Sequence, residues 1–268
     1  MNIKRIKLLF IQTFIVFTPF FAQQDINKTD SQGRKQGYWI KRDDQGFIIY
    51  KGSFKDNQPT GTFKYYYPSK DTILKTILIF SKDGKSAKST NYHFNKALMS
   101  TGNYVLQKKD SVWNFFHEGG YKISEETYSN GILNGVSKNY YENGNVLSEY
   151  FYKDGKKEGP GSEFFDNGAP KLSGTYKSDN PNGKFTIFYP DGKPYYEGYY
   201  VNGLKNMVWL SYNSAGGLNS KEVYNMGQLL EGKEAEAFLN KDRSKPKTNN
   251  VKSNNNSKNT NKNNSNSK

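Results

Sequence analysis

Two aromatic ladders with a common 24-residue step run through this chain. One is Phe80, Tyr104, Tyr128, Tyr152, Tyr176, Tyr200 and Tyr224; the other is Tyr92, Phe116, Tyr140, Phe164, Phe188 and Tyr212. Glycine keeps the same step at Gly120, Gly144, Gly168, Gly192 and Gly216. Aromatic residues make up only 16% of the chain, so unbroken ladders of this length are not a product of composition. A fixed step of this size means stacked supersecondary units, each burying its apolar side on its neighbours.

The unit that begins at Gly135 shows what is stacked. Two aromatic-rich runs of strand length, around Tyr140-Tyr141 and Tyr150-Phe151-Tyr152, are separated by Asn143-Gly144 and followed by Asp154-Gly155. Such dipeptides suit a two-residue hairpin turn with positive φ at both centres. Asn130-Gly131, Asn167-Gly168, Asp191-Gly192 and Asn202-Gly203 repeat the signal. A further glycine stands four residues on, at Gly135, Gly159 and Gly183. This predicts tight hairpins alternating with a wider, glycine-relaxed turn. The expected fold is all-β: an elongated antiparallel sheet of β-hairpin repeats, about eight units long. The two ladders are expected to form one aromatic face. Gly102, Gly174 and Gly198, each two residues before a ladder tyrosine, are expected to lie under neighbouring rings. Phe54 lies 26 residues before Phe80, so a two-residue insertion is expected at the first junction.

The ends read differently. Residues 1–22 carry Lys4, Arg5 and Lys7 ahead of an apolar run too short to span a bilayer, as in a cleaved export signal. Residues 23–32 read as a linker, 33–232 as repeats and 233–240 as a short capping helix with Ala235, Phe238 and Leu239 on its apolar side. Residues 241–268 form a tail rich in Asn, Lys and Ser, expected to be disordered. The tail reads as a soluble spacer or as a tether to an anionic surface. The formal charge of +14 is concentrated at these ends, leaving +4 on residues 23–239, so nucleic acid is not an expected partner. The chain has no cysteine, which excludes disulfides, thiol catalysis and cysteine-bound metal.

Several columns bear on chemistry. His93 and His117 are one step apart, but their column continues as Tyr141, Phe165 and Tyr189, so the imidazoles are read as stand-ins for flat rings and no metal is expected. Glu125, Glu149 and Glu197 share a column that cross-strand pairing with lysine explains better than acid–base catalysis. No phosphate loop or nucleophile motif is present, so the chain reads as a non-enzyme without cofactor. All three tryptophans fall in one column: Trp39, Phe63, Trp113, Ser137, Gly161, Phe185 and Trp209. Packing is one reading; a row of binding platforms at Trp39, Phe63, Trp113, Phe185 and Trp209 is the other.

The run Asn130-Gly131-Ile132-Leu133-Asn134-Gly135, with Tyr140-Tyr141-Glu142-Asn143-Gly144 and Tyr152-Lys153-Asp154-Gly155, resembles the bacterial MORN repeat variant found in the YwqK-like antitoxin family. The resemblance covers about residues 33–232, with departures at Asp179 and Asn206, where glycine is expected. It implies a β-hairpin repeat used for protein or lipid contact. The combined expectation is an exported, non-catalytic scaffold, periplasmic, outer-envelope-associated or secreted. Its first-choice partner is a protein, with a polysaccharide as the alternative and an anionic surface, reached through the tail, as the second.

Overall fold

A computed structural model describes residues 26–243. The expected export signal and nearly all of the tail lie outside them. The described chain forms two compact units that meet in sequence at Lys156 and Lys157. In the first, the strands are Lys28–Thr29, Lys35–Arg42, Ile48–Lys55, Gln58–Tyr66, Leu74–Phe80, Ser86–Tyr92, Leu98–Val105, Lys108–Phe116, Lys122–Ser129, Ile132–Tyr140 and Val146–Lys153. Each pairs antiparallel with the next. The second unit continues the pattern with Lys156–Phe164, Pro170–Lys177, Asn180–Phe188, Pro194–Val201, Leu204–Tyr212, Leu218–Asn225 and Gln228–Leu230. The fold class is therefore as expected, an open antiparallel sheet in hairpin order. Among the described residues a single helix, Gly232–Arg243, lies against strand Leu218–Asn225. Ala235, Phe238 and Leu239 are its half-buried residues.

The two kinds of turn differ from expectation in an instructive way. Asn130-Gly131, Asp154-Gly155 and Asn202-Gly203 do have positive φ at both centres. At Asn143-Gly144, Asn167-Gly168 and Asp191-Gly192 only the glycine does. There the loop is longer. Tyr141 N–H donates to Asn145 O at 2.8 Å, Gly144 N–H donates to Tyr141 O at 3.0 Å, and the Asn143 side chain accepts from Asn145 N–H at 3.0 Å. The Asn or Asp is thus a side-chain cap within the loop and not one of a pair of left-handed residues.

The expected wider turn is also a different object. Gly135, Gly159 and Gly183 lie inside strands, and Gly135 and Gly183 sit in bulges that follow a two-residue turn. Lys51 pairs with Lys64 and Ser53 with Thr60, so three residues, 61–63, oppose Gly52 alone. The same excess recurs around Gly102, Thr127, Thr175 and Gly198. Each bulge has one residue at positive φ: Gly61, Ser111, Gly135, Gly183 or Met207. The missing glycine of the last repeat is therefore at Met207, one residue beyond Asn206. Five of the strands that follow a two-residue turn also take up an amide of the next such turn. Gly131 N–H donates to Lys109 O, Gly155 to Leu133, Asp179 to Lys157, Gly203 to Pro181 and Gly227 to Lys205, all at 2.7–3.0 Å. Turn and bulge interlock, joining one hairpin to the next.

Side-chain alternation gives each unit two faces. The first face carries the tryptophan column as a row running across the strands. In the first unit it reads Trp39, Gly52, Phe63, Leu78, Ser89, Gly102, Trp113, Glu126, Ser137, Tyr150. In the second it reads Gly161, Gly174, Phe185, Gly198, Trp209, Glu222. Four of the rings in this row lie flat over a neighbouring glycine. Phe63 covers Gly52, Trp113 covers Gly102, Phe185 covers Gly174 and Trp209 covers Gly198; a Cβ at any of the four would fall inside the ring's van der Waals envelope.

The two ladders do not share this face. Tyr104, Tyr176 and Tyr200 pack edge-on against Trp113, Phe185 and Trp209 at centroid distances of 4.9, 5.3 and 4.8 Å. Tyr212 instead donates to Glu197 Oε1 at 3.0 Å, and Tyr140 lies under Lys122, which pairs with Glu125. These are groups of the second face, so the expectation of one aromatic face is corrected. The loop between the ladders spaces them so that they fall on opposite sides of the sheet.

One hairpin breaks the pattern. The turn from Tyr67 to Ile73 is two residues longer than its equivalent at Tyr141 to Asn145, which locates the insertion. Strands Leu74–Phe80 and Ser86–Tyr92 then pair without a bulge, from Thr76 with Asn91 to Phe80 with Ala87. The loop Ser81 to Ser86 is correspondingly longer than a two-residue turn.

Adding a methyl group at Gly198 forces Trp209 off its seat, an overpacking cost of about 1–3 kcal/mol. Urea unfolding of Gly198→Ala should show that loss, and the same substitution combined with Trp209→Leu should show much less than the sum of the two separate losses.

Candidate functional site

The row of rings is built from below by glycine and from above by a second column, which sequence reasoning missed. Phe63, Trp113 and Trp209 are each 1% exposed, Phe185 is 6% exposed and Trp39 is half-buried. The indole N–H groups are turned inward, Trp39 to Gln36 O at 3.0 Å, Trp113 to Asn103 O at 3.0 Å and Trp209 to Tyr199 O at 3.1 Å. Lysine ammonium groups lie over the rings. Lys35 is 4.8 Å from the Trp39 centroid, Lys109 4.9 Å from Trp113, and Lys205 5.0 Å from Trp209. A lysine stem shields the ring while its charge stays in water, and the ring face attracts the cation. The column was legible in principle, since Lys109, Leu133, Lys157, Pro181 and Lys205 keep the 24-residue step. Of the platform candidates, only Trp39 keeps an appreciable open surface. Phe185 and Trp209 are joined through Tyr200, at 5.1 and 4.8 Å.

Sequence reasoning also missed two carboxylates under this cover. Glu126 pairs in register with Trp113, and Glu222 pairs with Trp209 four repeats later. Glu126 accepts from Tyr128 OH and, at 3.0 Å, from Ser124 OH. Glu222 accepts from Tyr196 OH at 2.9 Å and Tyr224 OH at 3.0 Å, while Lys205 donates to Tyr196 OH at 2.7 Å. Burial pushes the Tyr196 phenol up to about 12; Lys205 opposes the shift and Glu222 adds to it. Burial and then Glu126 move Tyr128 the same way. These are carboxylates held by hydroxyl donors, an arrangement that fixes rings in place.

The remaining columns make contacts within the sheet. His93 Nε2 donates to Phe116 O at 3.0 Å, as Tyr189 OH does to Tyr212 O at 2.9 Å. His117 stacks on Tyr121 at 4.6 Å, and its Nδ1 accepts from Gly119 N–H at 3.1 Å. Each imidazole is thus engaged within the scaffold. Glu125, Glu149 and Glu197 pair with Lys122, Lys138 and Lys184 at 2.6, 2.9 and 3.0 Å on the second face.

Two candidate surfaces lie in the first unit. On the first face, a groove of about 830 Å³ opens at the bulge-free hairpin. Ala87 there opposes Phe80, where Lys109 opposes Tyr104 in the next hairpin, and Ser89 takes the place of a ring. On the second face, Ile79, Val105, Val112, Ile123, Val136 and Phe151 are all exposed. Val112 pairs with Thr127 and Val136 with Phe151, and Thr127 OH bonds to Val136 O at 2.8 Å, so four consecutive strands share one apolar strip.

Truncating Trp113 to Ala removes a fully buried ring and should cost about 3–5 kcal/mol in a urea titration. The tyrosine shifts give a second expectation. The folded phenol of Tyr196 is raised above its ordinary value of 10, so its contribution is complete below pH 10 and is lost as the pH rises through about 12. Tyr196→Phe should therefore flatten the fall in melting temperature between pH 10 and 12 while leaving it unchanged in slope near neutrality.

The family model described as the MORN repeat variant matches the chain at residues 133–154 and 181–202. Both matches start on a bulged strand, pass through the glycine loop and end in the next two-residue turn, two repeats apart. The chain finds no match among curated proteins. The stretches at these two places are thus similar in sequence to MORN variant repeats.

Proposed function

We propose that the protein is a non-catalytic repeat scaffold that binds a protein partner through the second face of its first unit, working in the cell envelope or outside the cell. The observation that carries this reading is the apolar strip Val112, Val136 and Phe151, flanked by the ion pairs of Lys122 with Glu125 and Lys138 with Glu149. On the first face the rings are covered by lysine stems and glycines are covered by rings; on the second, large aliphatic groups stand uncovered between charges. An apolar centre with a charged surround is the usual build of a protein contact. The signal-like residues 1–22 support export, and the two MORN-like stretches are compatible with a non-catalytic repeat scaffold.

The test is cross-linked capture from native envelope, using the mature chain, a chain ending at Arg243, and Phe151→Asp. A stoichiometric protein retained by the first two and lost at least tenfold from the third supports the reading. Recovery of glycan alone, or of protein that Phe151→Asp does not diminish, sinks it. Melting temperature should stay within about 2 °C in Phe151→Asp, since surface changes away from the packed row cost about 0.5 kcal/mol or less.

A further inference from the structure

We infer that the groove on the first face of the first unit is a carbohydrate-binding site, taking a short neutral or acidic oligosaccharide. This goes beyond the proposed protein contact and uses the opposite face of the unit.

The groove is specific to one hairpin. Loss of the bulge between Leu74–Phe80 and Ser86–Tyr92 lays the second strand flat, and the longer loop Ser81 to Ser86 restores the repeat length. Two side chains then withdraw together. Ala87 stands where a lysine, leucine or proline covers the rings elsewhere, and Ser89 stands where Phe63 and Trp113 fill the row. The space of a ring and of its cover is left open between packed neighbours. From Phe80 to Thr76 the opening follows the strand for about 13 Å. An extended chain of sugar rings fits that shape better than one compact ligand.

Its lining has the required chemistry. Tyr65, Phe80 and Tyr104 stand in the walls, half-buried, and so present ring surface that Trp113 and Phe63 do not. The floor is a polar chain in which Thr76 OH donates to Asn91 Oδ1 at 2.8 Å and Asn91 Nδ2 donates to Ser89 Oγ at 3.0 Å and Ser100 Oγ at 2.9 Å. At the turn end, the amides of Gln58 and Gln107 are exposed, each able to donate and accept at once. Apolar ring walls beside planar amides suit a pyranose, whose faces are C–H and whose edge is hydroxyl.

Charge and backbone narrow the ligand further. Lys75 and Lys85 line the groove and no carboxylate does, so an acidic sugar is accepted and a basic ligand is not favoured. The backbone groups of the floor strands are spent in the ladder from Thr76–Asn91 to Phe80–Ala87. A peptide laid there would find no main-chain partners, which weighs against peptide as the occupant.

The experiment is saturation-transfer NMR on the full chain with oligosaccharides of glucose, of N-acetylglucosamine and of galacturonic acid, and with an acetylated tyrosine-containing tetrapeptide as competitor. Variants are Ala87→Lys, which restores the cover, and the surface pair Gln58→Ala with Gln107→Ala, which leaves packing untouched. Binding of at least one oligosaccharide, weakened tenfold or more in both variants and not displaced by the tetrapeptide, supports the proposal. No saccharide binding, binding insensitive to the double glutamine variant, or binding of the tetrapeptide in place of the sugars overturns it. Phe151→Asp, on the other face, should leave the sugar signal unchanged, so the two readings fail separately.

Discussion

Everything in this protein rests on an aromatic ring lying over bare backbone. A sheet with no second layer has nowhere to bury a large side chain, and yet Trp113 and Trp209 are as dry as residues of a globular core. The solution is lateral. Glycine on the adjacent strand removes the Cβ that would hold the ring away, a tyrosine or phenylalanine closes one edge, and in the tryptophan repeats a lysine stem roofs the stack. Each ring so enclosed contributes about 1.5–3 kcal/mol of burial, and the glycine regains the contact it lacks on its own. The core is thus a row one residue wide, repeated across the strands and without a centre.

The two faces follow from this economy. Once the first face is committed to rings and their covers, its remaining positions are filled by short polar groups that satisfy one another, such as Asn139 with Ser148 and Ser211 with Ser220. Such a face is closed to most partners except where the row is interrupted. The second face has no such internal task. It carries ion pairs between neighbouring strands, and in the first unit a set of aliphatic groups whose exposure the scaffold does not require. Strand alternation alone separates the packed row from the exposed aliphatic groups.

Much of this was legible in the sequence, and the reason is the repeat itself. A step of 24 residues fixes neighbours without knowledge of distances, and it correctly placed Gly102, Gly174 and Gly198 under rings. It also identified the insertion near the start and the apolar side of the helix at Ala235, Phe238 and Leu239. What it could not carry was phase across a turn. Asn143-Gly144 and Asn130-Gly131 look alike as dipeptides, but one belongs to a longer loop that shifts which side the next residues face. That shift put the second ladder on the opposite face. The groove was hidden for a related reason. Ser89 keeps the step to Trp113, but Ala87 is an unremarkable small residue until the missing bulge sets it opposite Phe80, two residues beyond Lys85, which keeps the step to Lys109.

The interlock of turn with bulge has a consequence for how the chain reaches this state. Gly131 reaches Lys109, Gly203 reaches Pro181 and Gly227 reaches Lys205, always one hairpin back and never forward to residues not yet made. Low separation between contacting residues favours rapid, local ordering. Each of these turns therefore closes on the hairpin before it. A polypeptide emerging from a ribosome or threaded through a membrane pore in the N-to-C direction can fold at the rate it arrives, each new hairpin locking the last, so that beyond the first strand's edge only the newest strand edge is open.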